Sequence, residues 1–260
     1  MGILNLTPDS FSDGGQFLNP DLALKRALQM EQEGADFLDI GGESTRPGAE
    51  PVSEEEEIRR LFPLLEKIVR EVRIPISVDT TKSRVADLAL EKGAVIVNDV
   101  SGLHQDPKMI SVVRKHGAGI ILMHRRGTPQ TMQSLTHYRD LISEVEEELL
   151  ESVRLAGDAG IAEEQIAIDP GIGFAKTAEQ NFEIVKSLER FKRFGRPLVV
   201  GASRKSFLGK ATGRSENERE FASEAVHALL VERGANILRV HDVRAAKDAC
   251  LVASAVTFNN

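Results

Sequence analysis

The sequence predicts an α/β protein, a (β/α)8 TIM barrel built from residues 1–260 as a single domain. Three observations lead there. Eight short apolar runs alternate with eight helical patterns, almost every run ends in a polar residue or glycine, and no linker rich in Gly, Pro or Ser divides the chain. Uninterrupted alternation implies parallel strands joined by right-handed crossovers. Eight units in this length suit a closed barrel better than an open doubly wound sheet, and in either architecture ligands meet the carboxyl ends of the strands.

The elements follow in order. Gly2-Ile3-Leu4-Asn5-Leu6 reads as a buried strand running into a polar loop, Thr7 to Gly15, that carries Phe11 and Asp13; this loop is long for a mere connection. Asn19-Pro20 supplies a cap and a first-turn proline for a helix to about Glu33. Phe37 to Ile40 is the second strand, opening a second polar loop, Glu43-Ser44-Thr45-Arg46-Pro47-Gly48. Ser53 and Glu56 form a capping box, so the acidic run Glu54 to Glu57 most simply complements a helix dipole. Strands Ile76 to Asp79, Val95 to Asp99 and Ile120 to His124 are separated by helices over about Lys82–Lys92 and Pro107–Lys115. A long helix from about Tyr138 to Ala159 precedes strand Ile166 to Asp169, and a helix capped by Thr177, with Gln180 at its third position, precedes strand Leu198 to Gly201. A further capping box, Ser215 to Glu218, is expected to start the next helix; strand Ile237 to His241 then leads into a last helix from Arg244 to about Val256.

Composition limits the function. With 41% hydrophobic and 28% charged residues and a net charge of -7, the chain is an ordinary globular protein without the basic face that nucleic acid or an anionic membrane surface would need. No apolar run approaches the roughly 20 residues of a membrane span, and the start lacks the order of a signal peptide, so a cytoplasmic location is expected. The Met1-Gly2 start fails the myristoylation pattern because Leu6 stands where Ser or Thr is required. A core strand beginning at residue one has no lead-in, so some residues before Met1 are expected to be absent, and their loss could loosen the barrel seam beside Asn5. The lone Cys250 permits neither an internal disulfide nor a cysteine metal cluster and reads as a packed core thiol.

The strand ends carry the chemistry. Asp79, Asn98 and Asp169 each follow apolar residues and should sit at the rim of a dry barrel, where buried carboxylates need donors. A flat heterocycle with an amino group and a ring N–H supplies parallel donors, and Lys205 could meet a ring carbonyl. For any one of the three, capping a helix or tying down a loop is an equally good reading; three at one rim favour a ligand. Ser203-Arg204-Lys205-Ser206 follows the seventh strand, and Arg239 and His241, two apart, would point the same way from the eighth, where barrels often bind phosphate. Arg46 adds a positive charge from loop two. Asn5 offers a neutral oxygen to a hard cation such as Mg²⁺, which keeps waters and bridges phosphates.

Other patterns are weaker. Asp169 to Thr177, DPGIGFAKT, looks like a phosphate-binding loop, but Ala175 stands before Lys176 and the glycine spacing is wrong. His104, His116, His137 and His227 read as structural or surface residues for want of ligand-pair spacing, with His124 left apart. Phe182, Phe191, Phe194 and Phe221 read as core or helix packing.

NLTPDSFSDGG, DIGGESTRPG, SVDT, NDVSG, MHRRGTPQTMQ, DPGIGFAKT, GASRKSFLG and RVHDV, in order and over nearly the whole chain, resemble the dihydropteroate synthase family of folate biosynthesis. The resemblance implies a pterin-binding transferase, a sulfonamide target, that joins 6-hydroxymethyl-7,8-dihydropterin pyrophosphate to p-aminobenzoate in an SN1-like reaction, with Mg²⁺ assisting and loops one and two closing the site. It places Asp79, Asn98, Asp169, Lys205, Met123 and Gly201 at the pterin, and Asn5, Arg46, Arg239 and His241 at the pyrophosphate, with Asn5 at the metal. Phe11, Thr45, Pro47, Phe174 and Ser206 fall at p-aminobenzoate; Asp13, Thr45, Arg46, Lys205, Arg239 and His241 take the catalytic roles. A cytoplasmic homodimer is likewise implied. Two positions depart from the family's common pattern, Ala175 in DPGIGFAKT and the Arg125-Arg126 pair. Rival readings are a pterin-dependent methyltransferase domain, in which the Arg239–His241 cluster has no evident task, and a non-catalytic pterin-binding paralogue.

Overall fold

In the computed structural model, described over residues 1–6 and 20–257, the alternation is a closed ring of parallel strands inside a ring of helices. The strands are β1 (Gly2–Asn5), β2 (Leu38–Gly41), β3 (Ile76–Asp79), β4 (Ile96–Asp99), β5 (Gly119–Met123), β6 (Ile166–Asp169), β7 (Val199–Val200) and β8 (Ile237–Leu238). β1 to β6 pair in sequence order and β7 pairs with β8. Bridges Ile168↔Leu198 and Gly2↔Val240 join the two sheets and close the barrel. The seam at β1 is not loose. The Met1 ammonium donates to the Leu238 carbonyl at 2.9 Å, and Ile3 N to Val240 O and Val240 N to Met1 O at the same distance.

The helices are α1 (Pro20–Gln32), α2 (Glu54–Glu71), α3 (Ser83–Lys92), α4 (Met109–His116), α5 (Leu141–Asp158), α6 (Ala178–Lys186), α7 (Ser206–Thr212), α8 (Glu220–Glu232) and α9 (Val243–Thr257). Each lays an apolar stripe on the barrel. In α2, Leu61, Leu64, Leu65 and Ile68 are buried at helical spacing, and burying each such side chain contributes about 2 kcal/mol.

Several expected boundaries shift for identifiable reasons. α5 starts at Leu141, not Tyr138, because Asp140 is the cap, accepting from Ser143 N at 3.1 Å. The Ser215–Glu218 box caps a single 3-10 turn, and α8 begins only at Glu220. The sequence does not announce α7, since seven residues containing Gly209 make too short a pattern to read. The acidic run of α2 is more than dipole compensation, since Glu57 is fully buried and bonds Lys82 Nζ at 2.6 Å, while Lys82 also holds Glu43 of loop two at 2.5 Å. Phe191 and Phe194 pack as expected and Phe182 lies edge-on to Phe207, but Phe221 is 89% exposed and packs into no core. His116 meets Asp87 and Glu91 although no sequence spacing announces it; Lys115 Nζ already lies 2.8 and 3.3 Å from the two carboxylates. Cys250 is half-buried against the core. Among the described residues, no helix is long and apolar enough to cross a membrane.

Candidate active site

Strand register builds the floor of the site. Asn5, Gly41, Asp79 and Asn98 lie side by side across β1 to β4, and Asp39 and Ser77 lie side by side two residues earlier in β2 and β3. Side chains two residues apart on a strand share a face, so the barrel interior carries Asp39 beneath the row that holds Asp79. Gly41 keeps the upper row open: a Cβ there would stand 3.3 Å from Asp79 Cβ and 3.4 Å from Asn5 Oδ1.

Arg239, just beyond β8, spans the two layers. Its Nε donates to Asp39 Oδ2 at 2.6 Å and its Nη2 to Asp79 Oδ2 at 2.6 Å. Asn98 Nδ2 donates to the same Asp39 oxygen at 3.1 Å. Asp39 thus organises one expected pyrophosphate contact and one expected pterin contact, yet sequence reading missed it because it interrupts a strand instead of ending one. Its other oxygen is buried without a hydrogen bond among the described residues. Burial pushes the Asp79 carboxyl up to about 7, with Arg239 opposing and Asp39 reinforcing. For Arg239, burial is outweighed by the two carboxylates, and its pKa rises further.

Above this floor lies a cavity of about 360 Å³ lined by Asn5, Thr45, Arg46, Pro47, Asp79, Phe174, Lys205, Ser206, Arg239 and His241, along with Ser203, Met132 and others. Ten residues singled out from sequence therefore meet in one place. A second cavity of about 450 Å³ shares Thr45 and Asp79 and extends along Val100, Arg125 and Gln105. Met123, at the end of β5, packs in one apolar cluster with Val100, Met132 and Phe174, and pairs across the ladder with Asp169. Gly201 lies against the Arg239 side chain. Arg46 is not unpaired: it meets Glu216 at 3.0 Å, linking loop two to the turn before α8. Phe11 and Asp13 lie outside the described residues.

His241 is held by Ser203, whose Oγ is 3.0 Å from Nδ1, leaving Nε2 for another partner. Burial, followed by the charges of Arg239, Arg204, Arg46 and Lys205, pushes its pKa down to about 3, so the ring is neutral at physiological pH. Lys205 Nζ donates to the Ile172 carbonyl and stands 4.5 Å above the Phe174 ring. Burial lowers its pKa to about 8 against the opposing pull of Asp169. Asp169 accepts Gly171 N at 2.7 Å; burial raises its pKa, opposed by Lys205, Arg239 and Lys176.

The site combines stacked carboxylates, a lysine over an aromatic ring and a polar mouth with Arg and His. This suits a planar heterocycle with N–H donors bound deep, an aromatic ring bound beside Phe174, and an anion at the mouth. For a divalent cation, the described residues offer the Asn5 carboxamide, which makes no hydrogen bond among them, and no carboxylate cluster beside it. That donor set fits an ion held mainly by ligand phosphates and water.

Residues 1–241 match the family described as pterin binding enzyme. A dihydropteroate synthase of Synechocystis sp. is 51% identical over 257 residues, spanning 98% of this chain and 89% of the relative. Among solved structures, Yersinia pestis dihydropteroate synthase with a sulfonamide drug superposes with a TM-score of 0.94 at 39% identity, covering 98% of this chain and 92% of that one. Xanthomonas albilineans dihydropteroate synthase with 4-aminobenzoic acid gives 0.93 at 42% identity over 100% and 93%.

Proposed function

This chain belongs to the family of pterin-binding enzymes, and we propose that it acts within it as a dihydropteroate synthase, a transferase of folate biosynthesis. It condenses 6-hydroxymethyl-7,8-dihydropterin pyrophosphate with p-aminobenzoate to give 7,8-dihydropteroate and pyrophosphate. The observation that carries this is the one cavity in which Asp79, Phe174, Lys205, Ser206, Arg239 and His241 converge.

Breaking the C–O bond sends its electron pair with pyrophosphate and leaves positive charge on the methylene carbon conjugated to the pterin. Charge has to be stabilised on both fragments as they part. Arg239 and the neutral His241 hold the leaving anion, with Arg46 released from Glu216 to join them. Asp79, Asn98 and Asp169 hold the amino and ring N–H edge of the pterin, and Lys205 its carbonyl. Phe174 and Ser206 orient the arylamine, whose nitrogen lone pair forms the C–N bond and whose proton then leaves to water. Asp13, outside the described residues, is assigned the developing cation. Asn5 would help hold Mg²⁺, which would supply charge neutralisation at the leaving anion. Closure of loop two over the cavity excludes the water that would otherwise capture the carbon; loop one lies outside the described residues.

Purified protein mixed with Mg²⁺, the pterin pyrophosphate and p-aminobenzoate is expected to form dihydropteroate, followed by chromatography. No product from folded protein would overturn the reading and favour a binding paralogue. The proposal extends to a cytoplasmic homodimer formed through the exposed Phe221, Leu251, Val252 and Val256 of α8 and α9. Sedimentation of a monomer unchanged by Val252→Asp would rule that interface out.

A further inference from the structure

The segment 170–176, which carries Phe174 and follows Asp169, is gripped from two sides. On the cavity side Lys205 donates to the Ile172 carbonyl. On the rear side Lys176, buried at 3% exposure, donates to Gly171 O and Phe174 O at 3.1 Å each and lies 2.9 Å from His124 Nδ1. Tyr138 Oη donates to Ala175 O at 3.0 Å. Side chains from three directions therefore satisfy four carbonyls of a turn in which Gly171, Gly173 and Ala175 all have positive φ. No carboxylate touches Lys176 among the described residues. Its largest charge compensation is Asp169, acting through space.

His124 explains how the ammonium is tolerated there. An ammonium has only donors, so its contact with Nδ1 requires that nitrogen to be an acceptor. Nε2 then carries the proton and donates to Glu148 Oε2 at 3.0 Å, and Glu148 is itself held by Arg126 Nε at 2.9 Å. Arg126 lies 3.9 Å over the Tyr138 ring, closing the network. Neither cavity of the site is lined by Lys176, His124 or Glu148, nor by Asp169, whose Oδ1 is held by the Gly171 amide of the same turn.

We propose that Lys176, oriented by His124 and Glu148, is a positioning residue that fixes the Gly171 and Phe174 carbonyls and so presents the Asp169 carboxylate and the Phe174 ring to the two substrates. The inference rests on the synthase reading, but its test separates from it. Product formation by the unaltered protein tests that reading. The ratio of variant to unaltered protein tests the positioning role, read from KM and kcat, and equally from calorimetric binding of 6-hydroxymethylpterin should the unaltered protein make no product.

Lys176→Met keeps the aliphatic length and removes the donors. It is expected to raise KM for both substrates about tenfold, with kcat falling less than threefold, and to weaken pterin binding by the same factor. His124→Leu, which removes the acceptor, is expected to reproduce this. His124→Asn, whose side-chain oxygen can replace Nδ1, is expected to stay within about threefold of the unaltered protein. Unchanged KM and pterin affinity in folded Lys176→Met would overturn the proposal, as would equal behaviour of the two His124 variants. Should Lys176→Met fail to fold, the His124 pair decides alone.

Discussion

Two lysines hold the same turn, Lys205 from the cavity and Lys176 from behind, and the difference between them separates recognition from support. Both ammonium groups donate to carbonyls of segment 170–176, and burial lowers both pKa values, to about 8 and about 7. Lys205 also lines the cavity and faces the Phe174 ring, so its remaining donors meet whatever enters. Lys176 spends all three donors on protein acceptors. Asp169 feels both charges through space. A buried polar group is tolerated when fully satisfied internally and becomes a ligand contact when it is not.

The contrast can be broken most severely at Gly171, where both faces depend on one backbone geometry. Its φ is +71°, and an added methyl would run into the His124 carbonyl oxygen. Gly171→Ala is expected to cost about 4 kcal/mol or more in chemical denaturation and to abolish pterin binding. Retention of near-normal stability would show the turn to be adaptable and the two-faced account wrong.

Acid tests the rear face once the cavity's own titrating groups are subtracted. Burial, then Lys176, pushes His124 down to about 4 from an ordinary 6.5. Between these values the unfolded chain binds more protons than the folded one, so stability falls as pH drops from 6.5 towards 4 and then levels. The loss is about 3 kcal/mol at 1.4 kcal/mol per pKa unit, measured as the difference between the unaltered protein and His124→Asn. The opposite contribution of Asp79, whose raised pKa favours the folded state in this window, and the like-signed contribution of His241 are common to both proteins and cancel. Parallel pH curves would remove His124 from the account.

Among the proposed substrate contacts, Asp169→Asn is expected to weaken pterin binding about 100-fold, or about 2.7 kcal/mol, without lowering the melting temperature. Arg239→Ala and His241→Ala are expected to reduce turnover far more than pterin affinity. Equal losses in both assays for all three would erase the division between ring and anion contacts. The smallest effect belongs to Tyr138→Phe: loss of the bond to Ala175 O should lower stability by about 1 kcal/mol and leave both KM values within twofold.

What the sequence disclosed follows the same division. Asn5, Asp79, Asn98, Asp169, Arg239 and His241 were legible because each is polar at or just beyond the end of an apolar run, which in a parallel barrel means the rim. Asp39 was not, since a carboxylate inside a strand gives no turn signal and its partners are 59 and 200 residues away in sequence. Lys176 was visible only as part of a phosphate loop that failed its pattern; its use lies in a contact with His124, 52 residues distant. The closed barrel was expected from counting strands, but closure itself depends on the register of Gly2 with Val240, which no local pattern encodes.

Arg239 ties these layers together in a way that bears on which anions the protein ignores. Its guanidinium is already matched by two carboxylates at 2.6 Å before any ligand arrives. A bystander such as inorganic phosphate would have to draw it away from Asp39 or Asp79 and leave a buried carboxylate uncompensated, which opposes binding. A ligand that brings N–H donors for Asp79 along with its pyrophosphate replaces what the guanidinium gives up. On the proposed assignment of these contacts, the clamp would make the heterocycle a condition for capturing the anion, with an internal competitor adding to discrimination.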